Sequence, residues 1–258
     1  MGDFLDVLAR DAVKTIAEGY YEVDSGVPYP TTSLKKGITS CKVNPVIAEI
    51  KTMSPSRGVI RTGVDPVEIA MVMESCGATG ISILTEPRHF SGNFQTLRRV
   101  RDSVKVPILM KDIVLDPQQV EGASKMGADA VLLIKALFDR GHSCCGLRDM
   151  IEHAHRLGLE VLLETHTGDE FQSAVQSEAD LIGINNRDMG TLDVDLGVTE
   201  RILREKNAQG RTVVTESGIT TPHDLRFLRD RGAQAFLIGS AIMRSDDIGE
   251  AVRRFVTA

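Results

Sequence analysis

The stretch VPILMKDIVLDPQQVEGASKMGADAVLLI, residues 106–134, decides the fold. An apolar run, Val106–Lys111, leads to Asp116-Pro117, which sets a capping side chain before a proline at the first helical position. A segment with a helical pattern, Pro117–Met126, then ends at Met126-Gly127-Ala128, where glycine suits the left-handed residue that closes a helix. A second apolar run, Asp129–Ile134, follows at once. Strand, helix and strand in that order are the unit of a parallel sheet with a right-handed crossover.

The same punctuation recurs along the chain. Apolar runs stand at Pro45–Lys51, Gly80–Thr85, Val106–Lys111, Asp129–Ile134, Leu159–Glu164, Asp180–Asn185, Thr212–Glu216 and Gln234–Gly239. Helical patterns lie between them at Pro66–Ser75, Pro117–Met126, Leu147–Leu157, Gly168–Ser177 and Pro222–Arg231, with caps at Asp65-Pro66 and Thr221-Pro222. Eight such units in 258 residues predict an α/β fold, a (β/α)8 TIM barrel, as one domain over residues 1–258. An open doubly wound sheet is the runner-up, weakened because no Gly-rich dinucleotide fingerprint follows the first run. Residues 1–44 form an N-terminal helical extension and connector. Phe4, Leu5, Leu8, Ala12 and Ile16 carry helical spacing over residues 3–18, and residues 20–44, with Pro28 and Pro30, read as turn-rich.

Composition narrows the function. Hydrophobic residues make up 42% and charged residues 26%, which argues for a packed globular chain rather than disorder. A formal net charge of −6 offers no footprint for nucleic acid or an anionic membrane. No apolar run approaches the roughly 20 residues of a membrane span, and the start lacks the basic character of a secretory signal, so a cytoplasmic location is expected. Cys41, Cys76, Cys144 and Cys145 form no CxxC pair and are expected to be reduced.

Chemistry concentrates at the C-terminal ends of the runs, where barrels of this kind carry function. The first run ends in Glu49 and Lys51, the third in Lys111, the fifth in Glu164, the sixth in Asn185-Asn186-Arg187 and the seventh in Glu216-Ser217. Any one of these charges is as well explained by a strand-end ion pair. Five ionisable groups at one end of an apolar barrel are not, and such a cluster suits acid–base work by keeping a lysine protonated beside a carboxylate. Ser217-Gly218-Ile219 and Gly239-Ser240-Ala241-Ile242 follow the last two runs, where barrel phosphate sites form, and Ser54-Pro55-Ser56 adds hydroxyls after the first. A small phosphorylated molecule is the expected partner; protein partners are not specified. His153 and His155 are two apart on a helix and do not face one another, so no metal and no cofactor are expected. His89 and His166 are expected to be solvated loop residues, Cys144-Cys145 to be no nucleophile, and Met71 and Met73 to pack a helix.

At these residues the chain resembles the indole-3-glycerol-phosphate synthases. The resemblance is carried by Ile47-Ala48-Glu49-Ile50-Lys51 with Ser54-Pro55-Ser56-Arg57-Gly58, by Leu84-Thr85-Glu86 with Phe90-Ser91-Gly92, and by PILMKD at Pro107 to Asp112. It continues through Leu163-Glu164-Thr165-His166, IGINNRD at Ile182 to Asp188, Thr215 to Ile219 and Leu237 to Ser240. It implies a (β/α)8 barrel with an N-terminal helical extension. It also implies ring closure of 1-(o-carboxyphenylamino)-1-deoxyribulose 5-phosphate with loss of carbon dioxide and water, in tryptophan biosynthesis. By the same resemblance Lys111 is the general acid, Lys51 orients the substrate carboxylate or acts in dehydration, and Glu164 is the acid–base partner. How the later steps divide between Lys51 and Glu164 stays open. Glu49, Asn185, Glu216 and Ser217 would bind sugar hydroxyls or support the lysines, Arg187 would sit near the carboxylate, Phe90 would line the anthranilate pocket, and Ser54, Gly218, Gly239 and Ser240 would take the phosphate. Ile113 stands where the family commonly has an aromatic residue, which predicts looser packing there. Phosphoribosylanthranilate isomerase, the neighbouring enzyme, would carry Cys and Asp where this chain has Lys51 and Asn185. A silent barrel that only binds would lack one of the strand-end charges.

Overall fold

A computed structural model of the protein describes residues 2–23, 29–54 and 58–258. Pro28 of the connector and Pro55, Ser56 and Arg57 of the first loop lie outside the described residues. Eight parallel strands form a closed barrel. They are β1 (Val46–Ile50), β2 (Gly80–Leu84), β3 (Ile108–Lys111), β4 (Ala130–Ile134), β5 (Glu160–Thr165), β6 (Leu181–Asn185), β7 (Val213–Glu216) and β8 (Ala235–Ile238). Each pairs with its successor, and β8 returns to β1 with Leu237 beside Ile47. The expected runs agree to within two residues at either end.

Period-two alternation sorts the strands into two apolar layers. Ile47, Leu109, Leu132, Leu162, Leu181, Val214 and Leu237 meet inside the barrel. Their neighbours, such as Ala48, Met110, Val131, Leu163, Ile182 and Phe236, face outward and pack with helix residues such as Ile69, Leu97, Val120 and Met150. The caps form as expected: the side chains of Asp65, Asp116 and Thr221 accept from the N–H groups of Val67, Gln118 and Asp224. Gly127 closes the helix Pro117–Lys125 at φ 86°.

The extension differs from expectation in one respect. Helix α1 (Phe4–Ala17) is where its periodicity placed it, but the turn-rich connector also contains a second helix, α2 (Leu34–Ser40). Seven residues are too few to show a period, and tertiary contact stabilises this helix instead. Its start is tied to the N-terminal ends of two strands, because Glu160 accepts the Lys35 N–H at 2.9 Å and Asp129 accepts the Thr32 N–H at 2.5 Å. Leu34 and Ile38 are buried with the inner layer, so α2 closes the floor of the barrel. Helix α1 lies at the opposite end. Its Asp3 and Asp6 pair with Arg140 at 2.7 and 3.1 Å, and its Asp11 with His89 at 2.9 Å.

Met73 packs in the core as expected, whereas Met71 is 51% exposed and points to solvent. Among the described residues no helix is long and apolar enough to cross a membrane, and the four cysteines are free.

The floor gives the first test. Leu34→Ala removes a fully buried side chain set against Gly80, and should cost about 2–5 kcal/mol, read as a lower urea midpoint with an unchanged slope.

Candidate active site

Glu49 follows Ile47 on the inner face of β1, and Lys111, Glu164 and Glu216 likewise follow Leu109, Leu162 and Val214. The alternation that fills the barrel with leucine and valine therefore continues into charge at its mouth. Lys111 Nζ lies 3.0 Å from Glu164 Oε2 and 3.2 Å from Glu216 Oε2, and Lys51 Nζ lies 2.5 Å from Glu49 Oε1. All three carboxylates are buried.

Two inner positions lack side chains, and both make room for these carboxylates. A Cβ on Gly183 would fall inside van der Waals contact of Glu216 Oε1, and one on Gly239 would do the same to Glu49 Oε1. Gly239 was expected to open a phosphate loop; its clearer duty is to leave space for Glu49. Gly218 is held at φ 82°, with Val194 and Leu196 where a Cβ would stand.

Burial penalises the charge of Lys111, but Glu164, Glu216 and Glu49 outweigh that penalty and hold it above the ordinary lysine value. Burial pushes Glu164 upward, and the Lys111 charge with the Asn185 side chain pulls it further down, so it is an ionised carboxylate. Glu216 goes the other way: burial raises it, Lys111 lowers it and the nearby Glu164 charge raises it again. Glu164 and Glu216 both face Lys111, so they titrate as a coupled pair.

Two connected spaces open over these charges. The first has an apolar wall of Leu84, Phe90, Ile113, Leu132, Ile134 and Met189, and includes Lys51, Ser54, Glu86, Lys111, Asp112, Glu164, Asn185, Arg187, Ser217 and Ser240. The second, about 650 Å³, is lined by Glu49, Glu216, Gly218 and Gly239, and shares Lys51, Lys111, Arg187, Ser217 and Ser240 with the first. Every residue to which the resemblance gave a catalytic or binding role thus borders one or both. Ile113 is buried in the apolar wall.

Both loop histidines are engaged, contrary to expectation. His89 Nε2 meets Asp11 at 2.9 Å, and His166 Nδ1 donates to the Asn185 carbonyl at 2.8 Å, with Nε2 3.8 Å from Asp188. Three buried supports carried no role in the sequence reading. Asn186 donates to the carbonyls of Glu216 and Ser217 at 3.1 Å each, fixing the loop after β7. Asp112 accepts from the Ile113 N–H at 2.7 Å and the Tyr21 hydroxyl at 3.0 Å, and from the Thr85 hydroxyl. Glu86 accepts from the N–H groups of the loop that follows it. A polar residue one or two places beyond a strand end was the available signal for each. Among the described residues no group of three or more His, Cys, Asp and Glu is placed to hold a metal.

A family model described as indole-3-glycerol phosphate synthase matches residues 8–255. An indole-3-glycerol phosphate synthase of Dehalococcoides mccartyi is 38% identical over 257 residues, covering 98% of this chain and 97% of its own length. Those of Bordetella pertussis and Aromatoleum aromaticum are 44% and 46% identical, covering 82% and 81% of this chain and 79% and 78% of their own. Among solved structures, a thiamine phosphate pyrophosphorylase from Pyrococcus furiosus superposes with a TM-score of 0.60 at 17% identity, covering 86% of this chain and 96% of that one. An N-acetylmannosamine-6-phosphate 2-epimerase from Clostridium perfringens gives 0.61 at 15%, covering 85% and 95%. At such identities the likeness concerns the barrel alone.

Two outcomes follow from the buried carboxyls. Gly239→Ala should displace Glu49 and destabilise the fold by about 1–3 kcal/mol, measured by thermal or urea unfolding. Burial pushes the Asp112 carboxyl up to about 7 against its three hydrogen bonds, from an ordinary value of 3.8. The unfolded chain therefore gives up this proton first, and stability falls as pH rises from about 4 to about 7 before levelling. Asp112→Asn should remove that share of the slope, up to about 1.4 kcal/mol per pH unit, in urea unfolding at pH 5 and pH 7.

Proposed function

The chain belongs to the indole-3-glycerol phosphate synthase family, and on that premise we propose that it closes the indole ring of 1-(o-carboxyphenylamino)-1-deoxyribulose 5-phosphate in tryptophan biosynthesis. Carbon dioxide and water are the other products, and a cytoplasmic location accords with the role. The observation that carries the reading is the Lys111 side chain, clamped by Glu164 and Glu216, at the junction of an apolar compartment with one of glycines and hydroxyls. The substrate is divided in the same way. Its aromatic half suits the wall of Phe90 and Ile113, and its phosphate suits Ser54, Gly218, Gly239 and Ser240. Asn185, Glu216 and Ser217 are in reach of the sugar hydroxyls, and Lys51 with Arg187 of the carboxylate.

In the first step the ring carbon bearing the carboxylate attacks the ribulose carbonyl carbon. The carbonyl π electrons pass to oxygen, which takes a proton from Lys111 Nζ, so charge never accumulates on that oxygen. The bond to the carboxylate then breaks, its electron pair restores the aromatic ring, and carbon dioxide leaves. In the last step the new hydroxyl departs as water with a proton from Lys51, while Glu164 removes a proton from the carbon between the carbonyl position and the nitrogen. Glu164 stands 3.0 Å from Lys111 and returns that proton to it, which resets the acid. Lys51 is recharged from solvent, matching the one proton the overall reaction consumes. The ionised state of Glu164 supports its assignment as the base and leaves Lys51 as the acid of dehydration. Glu49, 2.5 Å away, holds the Lys51 ammonium in place.

Supplying the carboxyphenylamino-ribulose phosphate and following indole fluorescence tests the reading. The parent protein should form product, and Lys111→Ala should lose about 10²–10⁴ in kcat with a much smaller change in KM. A parent that forms no product overturns the reading, and an unimpaired variant overturns the choice of acid.

A further inference from the structure

One buried carboxylate at the mouth of the barrel takes no part in the chemistry above. Glu86, two residues beyond the end of β2, is 3% exposed. Its Oε1 accepts the N–H of Arg88 at 2.9 Å, and its Oε2 accepts those of His89 at 2.7 Å and Phe90 at 3.0 Å. Three successive backbone N–H groups turned to one point make the concave cradle that usually holds a free anion, and here a side chain of the same loop fills it. The Glu86 carbonyl also accepts the Gly92 N–H at 2.8 Å. Gly92 lies so close to the backbone of Thr85 and Glu86 that any Cβ would collide with it, so the loop is pinned on both sides of Phe90. From outside, α1 holds the same loop: Arg88 Nε donates to the Thr15 hydroxyl at 2.8 Å, and His89 pairs with Asp11. Of this loop, Glu86 and Phe90 border the apolar compartment, and the Phe90 ring supplies its aromatic wall.

We propose that Glu86 is a positioning residue, which fixes the Phe90 main chain through these three N–H groups and so sets its ring against the aromatic half of the substrate. The inference rests on the function proposed above. Ring attack needs the reacting carbon held close to the carbonyl and in line with it, and a flat aromatic neighbour supplies that alignment only if its own backbone is fixed. A glutamine at this position would turn an N–H₂ group toward at least one of the three backbone N–H groups and break the cradle.

Glu86→Gln should raise KM about tenfold and lower kcat by less, the scale of one misplaced aromatic contact. The double variant Glu86→Gln/Phe90→Ala should be no worse than Phe90→Ala alone, because the carboxylate acts through the ring. Hydrogen exchange gives a readout independent of turnover: Glu86→Gln should speed exchange at the Phe90 amide while the amides of β2 keep their parental rates. Glu86→Asp, whose shorter carboxylate can still accept, should restore part of the affinity, and it carries the same comparisons if the glutamine variant does not fold. A parental KM in Glu86→Gln, additive losses in the double variant, or unchanged exchange at Phe90 each overturn the proposal. A parent that turns over no substrate overturns the functional reading instead, whatever the exchange data give.

Discussion

Lys111 carries a positive charge into a barrel otherwise filled with leucine, isoleucine and valine, and Glu164 and Glu216 are what make that tolerable. Taking an ammonium and a carboxylate out of water is expensive, and their mutual attraction offsets the cost only when both partners are present and well placed. Removing one partner of such a pair typically costs about 3–5 kcal/mol, because the other is left buried and unpaired. The same constraint shapes the neighbouring backbone. Gly183 and Gly239 are bare because the carboxyls of Glu216 and Glu49 occupy the space their side chains would need. The charged mouth and the interior packing are thus one arrangement, and neither can be changed alone.

The extension serves that arrangement from both ends. Below, α2 sets Leu34 and Ile38 into the inner apolar layer, which keeps water from the floor of the barrel. Above, α1 contributes Leu5, Leu8 and Ala12 to the same cluster and grips the loops after β2 and β4 through Asp11 and Asp6. A low-dielectric surround strengthens every ion pair inside it. The packing at the two ends therefore helps determine how strongly Lys111 holds its proton.

The strands were legible because each is bounded by caps and glycines that act within a few residues, as at Asp116-Pro117 and Gly127. The inward residues were legible because period two leaves only two choices, and Lys111 shares the face of Leu109. Helix α2 was not, since a seven-residue segment gains its stability from Glu160 and Asp129, 90 or more residues away, and no local pattern carries such contacts. The same reason hid the engagement of His89, whose partner Asp11 is 78 residues distant. Glu86 and Asn186 were visible as residues but silent as to role, because each binds backbone groups whose convergence exists only in the folded loop.

The balance of charge at the site bears on how the proposed reaction releases carbon dioxide. Two ammoniums, Lys51 and Lys111, face Glu49, Glu164 and Glu216, of which Glu216 tends to keep its proton. Arg187 adds a third positive side chain beside Lys51 and Lys111, so a phosphate would meet cationic groups as well as the backbone N–H groups and hydroxyls of the loops after β7 and β8. In the proposed reading the substrate carboxylate lies at the edge of the wall formed by Phe90 and Ile113, near Lys51 and Arg187. Beside an apolar wall an ion is less well solvated than in water, and carbon dioxide is apolar. Ring closure by Lys111 makes the carbon–carboxylate bond ready to break, and the apolar wall favours the product of breaking it.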